Sequence, residues 1–213
     1  MTDVAIIDYG MGNLRSVSKA IEHVAPERRV VVTSDPAVVA AASRVVFPGQ
    51  GAMPDCMREL DAGGLRDAVL DAAASKPFLG ICIGQQMLFA HSEEGNVPGL
   101  GILRGEVVRF PAAETMRTAD GGHLKVPHMG WNQVRQRREH ALWEGIPDGE
   151  RFYFVHSYHV VPSSPELTAA ETDYGSRFTS AVARDNIFAV QFHPEKSAWA
   201  GLRLLANFVR WAP

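Results

Sequence analysis

Two short stretches of this 213-residue chain carry side chains that can form and break covalent bonds. The first is Gly80-Ile81-Cys82-Ile83-Gly84, which sets a cysteine between two glycines where an apolar run gives way to an amphipathic pattern. A cysteine in a buried strand is ordinarily a small hydrophobe. The pattern G-x-C-x-G, however, has the form of a nucleophile elbow, a tight strand-to-helix turn whose glycines relieve crowding so that the middle side chain projects from the sheet. A helix starting near Gly84 would aim its first N–H groups at the sulfur and favour the thiolate. The backbone N–H of Ile83 would face a developing oxyanion. The second stretch is Phe192-His193-Pro194-Glu195, reached from the apolar run Ala189-Val190-Gln191. A thiolate nucleophile needs a proton donor for its leaving group, and that donor needs an orienting partner. His193 and Glu195 can supply both, because Pro194 stiffens the turn and lets the carboxylate fold back onto the imidazole. A strand end with an incidental charged turn is the plainer alternative. H-x-E lacks the further ligands of a zinc site, so no metal is expected.

These groups need a scaffold that brings a late turn beside an early one. The runs Val4–Ile7, Arg29–Val32, Arg44–Phe47 and Phe78–Cys82 are short and mostly β-branched or apolar, as expected of buried parallel strands. Between the first two, Leu14, Val17, Ile21 and Val24 repeat at helical spacing and stop before Pro26. Between the second and third, Ser34 is placed to cap a short helix with Pro36 near its first position. This order predicts an α/β fold with one doubly wound, mostly parallel sheet flanked by helices. After Gly95 the runs shorten, with turns between them. They predict added antiparallel strands in the C-terminal half and a closing helix from about Ala198 to Val209. Without repeats or long polar linkers, residues 1–213 are expected to form one domain, with Ala112–Pro127 its most mobile stretch. Nucleophile, histidine and acid then meet at the carboxyl edge of the parallel strands, the usual site in open α/β sheets.

Composition narrows the classes further. Hydrophobic residues make up 46% of the chain, enough for a full core, and the formal net charge of −3 gives no reason to expect nucleic acid or an anionic membrane. Two cysteines outside any C-x-x-C pair suit a reducing compartment. The start has neither a basic region nor a cleavage site, and no run approaches a membrane span, so a cytoplasmic protein is expected. The cluster Arg135-Gln136-Arg137-Arg138-Glu139 reads as a solvated turn. Gly10-Met11-Gly12 is not a dinucleotide fingerprint, since Arg15 stands where the third glycine belongs. On the residues alone, a cysteine hydrolase acting by itself and a non-catalytic flavodoxin-like module with Cys82 in its core both remain open.

Taken together, the motifs carry a resemblance. Gly80-Ile81-Cys82-Ile83-Gly84-Gln85-Gln86 with Phe192-His193-Pro194-Glu195 is similar to the class I, triad-type glutamine amidotransferases. The stretches IDYGMGNLRSV, FPGQGAMPDCM, PHMGWNQV, FYFVHSYHV and QFHPEKS extend the likeness from Ile7 to Ser197. As a set they resemble the glutaminase subunits of imidazole glycerol phosphate synthases, of histidine biosynthesis. The resemblance implies that Cys82 attacks the side-chain amide of glutamine, that His193 protonates the departing ammonia and then activates water, and that Glu195 orients His193. No cofactor is implied.

The same resemblance makes Pro48-Gly49-Gln50-Gly51 an oxyanion loop, where a backbone N–H of Gln50 or Gly51 joins that of Ile83. Gln50 departs from the small apolar residue common at that place. Gly51, Gln86, Glu94, Ser157 and Tyr158 are implied to hold the two charged ends of glutamine. Asn13, Trp131, Tyr153 and Lys196 are implied to face a partner, a cyclase subunit with a (β/α)8 barrel that forms a heterodimer with this chain and uses the ammonia. Trp131 has a core tryptophan as its alternative reading. The loop Gly49-Gln50-Gly51 is expected to switch the site on when the partner holds its ligand, its two glycines permitting a peptide reorientation.

Overall fold

The computed structural model describes residues 3–112, 115–117 and 121–213. Of the Ala112–Pro127 stretch, positions 113–114 and 118–120 therefore lie outside the described residues.

The N-terminal half alternates strands with helices: β1 (Val4–Ile7), α1 (Leu14–Val24), β2 (Val30–Thr33), α2 (Pro36–Ala41), β3 (Arg44–Gly49), α3 (Met53–Ala62), α4 (Arg66–Ser75), β4 (Phe78–Cys82) and the single turn α5 (Ile83–Gln86). Short strands follow, β5 (His91–Ser92) and β6 (Val97–Pro98), then β7 (Gly105–Arg109), β8 (His128–Gln133), β9 (Arg135–Gln136), β10 (Arg151–His156), β11 (Tyr158–Pro162), β12 (Thr168–Tyr174), β13 (Ser176–Arg184) and β14 (Ile187–Val190). Helix α6 (Ala198–Arg210) closes the described order.

Strands β2, β1, β3, β4 and β14 lie side by side and are all parallel. Every residue of β1, β4 and β14 is buried, so helices cover both faces of this core and apolar runs without alternation are what such strands require. Strand β14 takes its place beside β4 after a long excursion through the C-terminal half, with Val190 opposite Ile81. That pairing places the residues after β14 next to Cys82. Beyond β14 the sheet continues antiparallel through β13, β11 and β7, while β12 pairs with β13 and carries β9 on its other side. Strands β8 and β10 form a separate antiparallel ribbon.

Local chemistry fixes the joints. Helix α2 is capped by Asp35, not by Ser34 as the sequence suggested; its carboxylate accepts from the Ala37 N–H at 2.8 Å, while Pro36 opens the helix. Arg44 at the start of β3 donates to the carbonyls of Phe208 and Trp211 at 2.7 and 3.0 Å, tying the end of α6 to the parallel core. The basic cluster is no free turn. Arg135 and Gln136 pair with β12, Arg137 meets Glu171, and Arg138 spends its guanidinium on the carbonyls of Glu166 and Ala183. Among the described residues no helix is long and apolar enough to cross a membrane.

Candidate active site

Cys82 is the last residue of β4, and its backbone has φ 57° and ψ −113°, a conformation that non-glycine residues adopt only under constraint. The constraint comes from close packing on both sides. A Cβ on Gly84 would stand 1.8 Å from the Phe47 carbonyl oxygen, and one on Gly80 would stand 2.9 Å from the Ala189 side chain. Only glycines let the elbow sit between β3 and β14. The helix after the elbow starts at Ile83, one residue before the Gly84 that the sequence suggested, and has only four residues before the chain turns towards β5. The help a helix N-terminus gives a thiolate is correspondingly small.

His193 is the third residue after β14 and is 3% exposed. Its ring Nδ1 lies 2.9 Å from Glu195 Oε1, so Nδ1 carries the proton and Nε2 faces away from the acid. Among the described residues Nε2 has no hydrogen-bond partner. Burial resists charging of this ring, yet the Cys82 thiolate and the Glu195 carboxylate override it and push the imidazole up to about 10. The site therefore favours an imidazolium beside the sulfur. Its frame is rigid: the His193 N–H donates to the Tyr153 carbonyl at 2.9 Å, and the Ser197 hydroxyl donates to the His193 carbonyl at 2.6 Å while accepting the Tyr153 N–H at 3.0 Å. The Pro194-Glu195-Lys196 turn then packs on α6 so closely that a Cβ on Gly201 would fall 1.9 Å from the Pro194 carbonyl oxygen.

A cavity of about 410 Å3 opens over Cys82 and His193. Its walls include Gln50, Gly51, Ile83, Gln86, Glu94, Ser157, Tyr158, Tyr153 and Lys196, all singled out in the sequence. Glu195 stands behind His193, whereas Asn13 and Trp131 are not part of this wall. Glu94 spends one carboxylate oxygen on the Met53 N–H at the start of α3, 2.8 Å away, leaving the other for a ligand. Gln86 is buried and spends its Nε2 on the Tyr158 carbonyl and on Gln191, leaving Oε1 unpartnered. Cys56 is no second nucleophile, because burial pushes its thiol up to about 11.

The loop Gly49-Gln50-Gly51 differs in one respect from the expectation of two permissive glycines. A Cβ on Gly49 would stand 2.3 Å from the Tyr9 hydroxyl, so Gly49 serves close packing. Only Gly51 has a left-handed backbone, with φ 112°. Trp131 is 45% exposed and is no core residue; its ring meets that of Tyr153 edge-on at 6.2 Å. Lys196 lies over the other partner of that pair, its Nζ 6.0 Å from the Tyr153 ring centre. Asn13 is half-buried at the start of α1. The sequence reading passed over Gln191, whose amide reaches the Cys82 sulfur. Gln191 is fully buried just after β14, and a glutamine interrupting the apolar run two residues before His193 was the available signal.

A strained cysteine at the end of a central parallel strand, an acid-backed histidine after its neighbour and a polar cavity over both define an acyl-transfer site of the amidotransferase kind. The chain belongs to the class-I glutamine amidotransferase family, whose model matches residues 5–211. Within it the chain belongs with the HisH subunits of imidazole glycerol phosphate synthase, the glutamine amidotransferases of histidine biosynthesis. It is 79% identical to imidazole glycerol phosphate synthase subunit HisH of Aromatoleum aromaticum over 213 residues, the whole of both chains. It is 70% identical to the protein of that name from Dechloromonas aromatica over 210 residues, 99% of this chain and 97% of the other. The glutaminase domain of Trypanosoma brucei CTPS shares the fold at a TM-score of 0.63 and 16% identity, over 100% of this chain and 96% of the other.

Proposed function

We propose that this chain, as one domain, hydrolyses glutamine to glutamate and ammonia in the cytoplasm and delivers the ammonia to a separate cyclase chain. The observation that carries the reading is the alignment at the cavity floor: Glu195 on Nδ1 of His193 at 2.9 Å, Nε2 unpartnered, and the Cys82 sulfur close enough to raise the ring.

In this reading the Cys82 thiolate adds to the amide carbon of glutamine, and the oxyanion is met by the N–H of Ile83 and one from Gln50 or Gly51. The imidazolium gives its Nε2 proton to the amide nitrogen, the C–N bond breaks, and ammonia leaves a thioester behind. The now neutral Nε2 takes a proton from water; hydroxide adds to the thioester carbon, and the C–S bond breaks with its electron pair returning to sulfur. Glutamate departs and the ion pair is restored. Gln86, Ser157, Tyr158 and the free oxygen of Glu94 surround the amino and carboxylate ends of the substrate. Asn13, Trp131, Tyr153 and Lys196 face the cyclase, a (β/α)8 barrel in a heterodimer, and Tyr153 and Lys196 stand where the cavity meets that surface. Gly51 is the point at which the oxyanion loop turns when the partner is loaded.

Reconstitution with the cognate cyclase tests the reading. Cys82→Ala is expected to reduce glutamine-dependent synthesis by about 10⁴-fold or more while ammonium-dependent synthesis by the same complex continues, as for removal of a nucleophile. Retained glutaminase activity would remove Cys82 from the mechanism.

A further inference from the structure

The hydrogen bonds around Cys82 extend beyond the triad. Gln191 Nε2 lies 3.7 Å from the Cys82 sulfur. An amide beside a sulfur can present its N–H or its carbonyl, with opposite effects on a negative charge. Here the choice follows from neighbours whose roles are fixed. The Tyr158 backbone carbonyl only accepts, so Gln86 turns Nε2 towards it, at 3.1 Å. The second hydrogen on that nitrogen goes to Gln191 Oε1 at 2.9 Å, which leaves Gln191 Nε2 for the sulfur.

The Tyr158 carbonyl is held from another side by the His156 Nδ1–H at 2.8 Å. Neutral His156 then accepts at Nε2, where the His128 Nδ1–H meets it at 2.9 Å. Asn132 Nδ2 donates to His128 Nε2 at 3.3 Å and is itself fixed by the Asp173 carbonyl at 2.9 Å. Burial keeps both rings uncharged, pushing His128 down to about 4 and His156 well below the ordinary histidine range. From Asp173 to Cys82 every link has a single donor direction.

We propose that Gln191 is a further catalytic residue of the glutaminase reaction, its amide N–H holding the Cys82 sulfur in the thiolate form, and that Gln86, His156 and His128 position it. The inference rests on Cys82 being the nucleophile. A hydrogen bond to sulfur favours the charged state without competing for protons with His193, since an amide neither gains nor loses one at working pH. It acts twice in each cycle, before attack and when the C–S electron pair returns to sulfur in thioester hydrolysis.

Alkylation of Cys82 reads this contact directly. The full chain and its Gln191→Met and Gln191→Leu variants are treated with iodoacetamide at pH 7, modification of Cys82 and Cys56 is timed by mass spectrometry, and thermal unfolding is recorded for each protein. A charge-assisted hydrogen bond accounts for about a tenfold effect, so both variants are expected to react about tenfold more slowly at Cys82. Equal rates in a folded variant overturn the proposal. The positioning role is read separately: His128→Leu is expected to slow Cys82 about threefold, while His128→Asn, which restores an N–H near Nδ1, recovers the rate. Failure of that rescue, with both variants folded, removes His128 from the arrangement. A wild-type Cys82 no more reactive than Cys56 would instead overturn the nucleophile assignment on which the inference stands.

Discussion

His193 carries the most strongly conditioned proton of the proposed mechanism. Its side chain is 4% exposed and that of Glu195 is 1%, so neither is stabilised by water and each depends on the other. Because the ring is held up to about 10, it keeps its proton through the neutral range and loses it only in alkali. Glutaminase turnover in the assembled complex is therefore expected to hold from pH 7 to 9 and to fall as the pH nears 10. In Glu195→Gln one of the groups that raises the ring is gone, the ring's pKa falls, and the alkaline limb moves towards neutrality. A pH–rate profile of the two proteins checks this; coincident limbs would detach Glu195 from the ring. At this scale the chemistry was legible where a motif needs particular residue types, as in G-x-C-x-G and H-P-E. It was illegible where one atom's orientation decides the role. Gln191 differs from an ordinary buried glutamine only in the network that turns its amide, and Asp35 caps α2 in place of Ser34 because the backbone there presents the later side chain.

Elements position these atoms through contacts that tolerate no added bulk. The register of β14 on β4 brings the histidine turn to the elbow, and α6 keeps that turn from moving back. Gly201→Ala inserts a methyl against the Pro194 carbonyl. It is expected to cost about 1–3 kcal/mol by urea unfolding, as overpacking does, and to lower glutaminase activity more than this loss predicts by displacing His193. Full activity in the variant would mean that the turn adjusts independently of α6. The parallel strands were readable because strands buried on both faces must be apolar at every position, and residues 4–7 and 78–82 have the limits expected. The shortness of the helix after Cys82 was not readable. Amphipathic spacing continues through Leu88, but the chain there leaves the helix to pair β5 with β6 and β7, a tertiary demand that periodicity does not carry.

For the molecule as a whole, the proposed partner surface is one where large apolar side chains are left exposed, as interaction surfaces leave them. Met129 is 63% and Trp131 45% exposed on the same strand, beside Tyr153 and Lys196 at the cavity edge. Trp131→Ala is expected to leave the melting temperature of the isolated chain within about 1 °C, as surface substitutions generally do. The same substitution is expected to weaken association with the cyclase by about 2 kcal/mol, as for a central aromatic anchor. Calorimetry of the chain and titration against the cyclase measure the two effects; a large fall in melting temperature would return Trp131 to a core role.

The ribbon of β8 and β10 that carries this surface stands outside the large sheet, joined to it at the His193 turn and by side chains. Along β8, Met129, Trp131 and Gln133 are exposed, while His128 is buried and Gly130 and Asn132 are partly covered. The two sides of one strand thus face different surroundings, solvent on one and the protein interior on the other. A substitution at an outward position therefore alters what the ribbon presents to solvent without inserting bulk beside the inward side chains, so the geometry around the nucleophile is insulated from the chemistry of the outer surface.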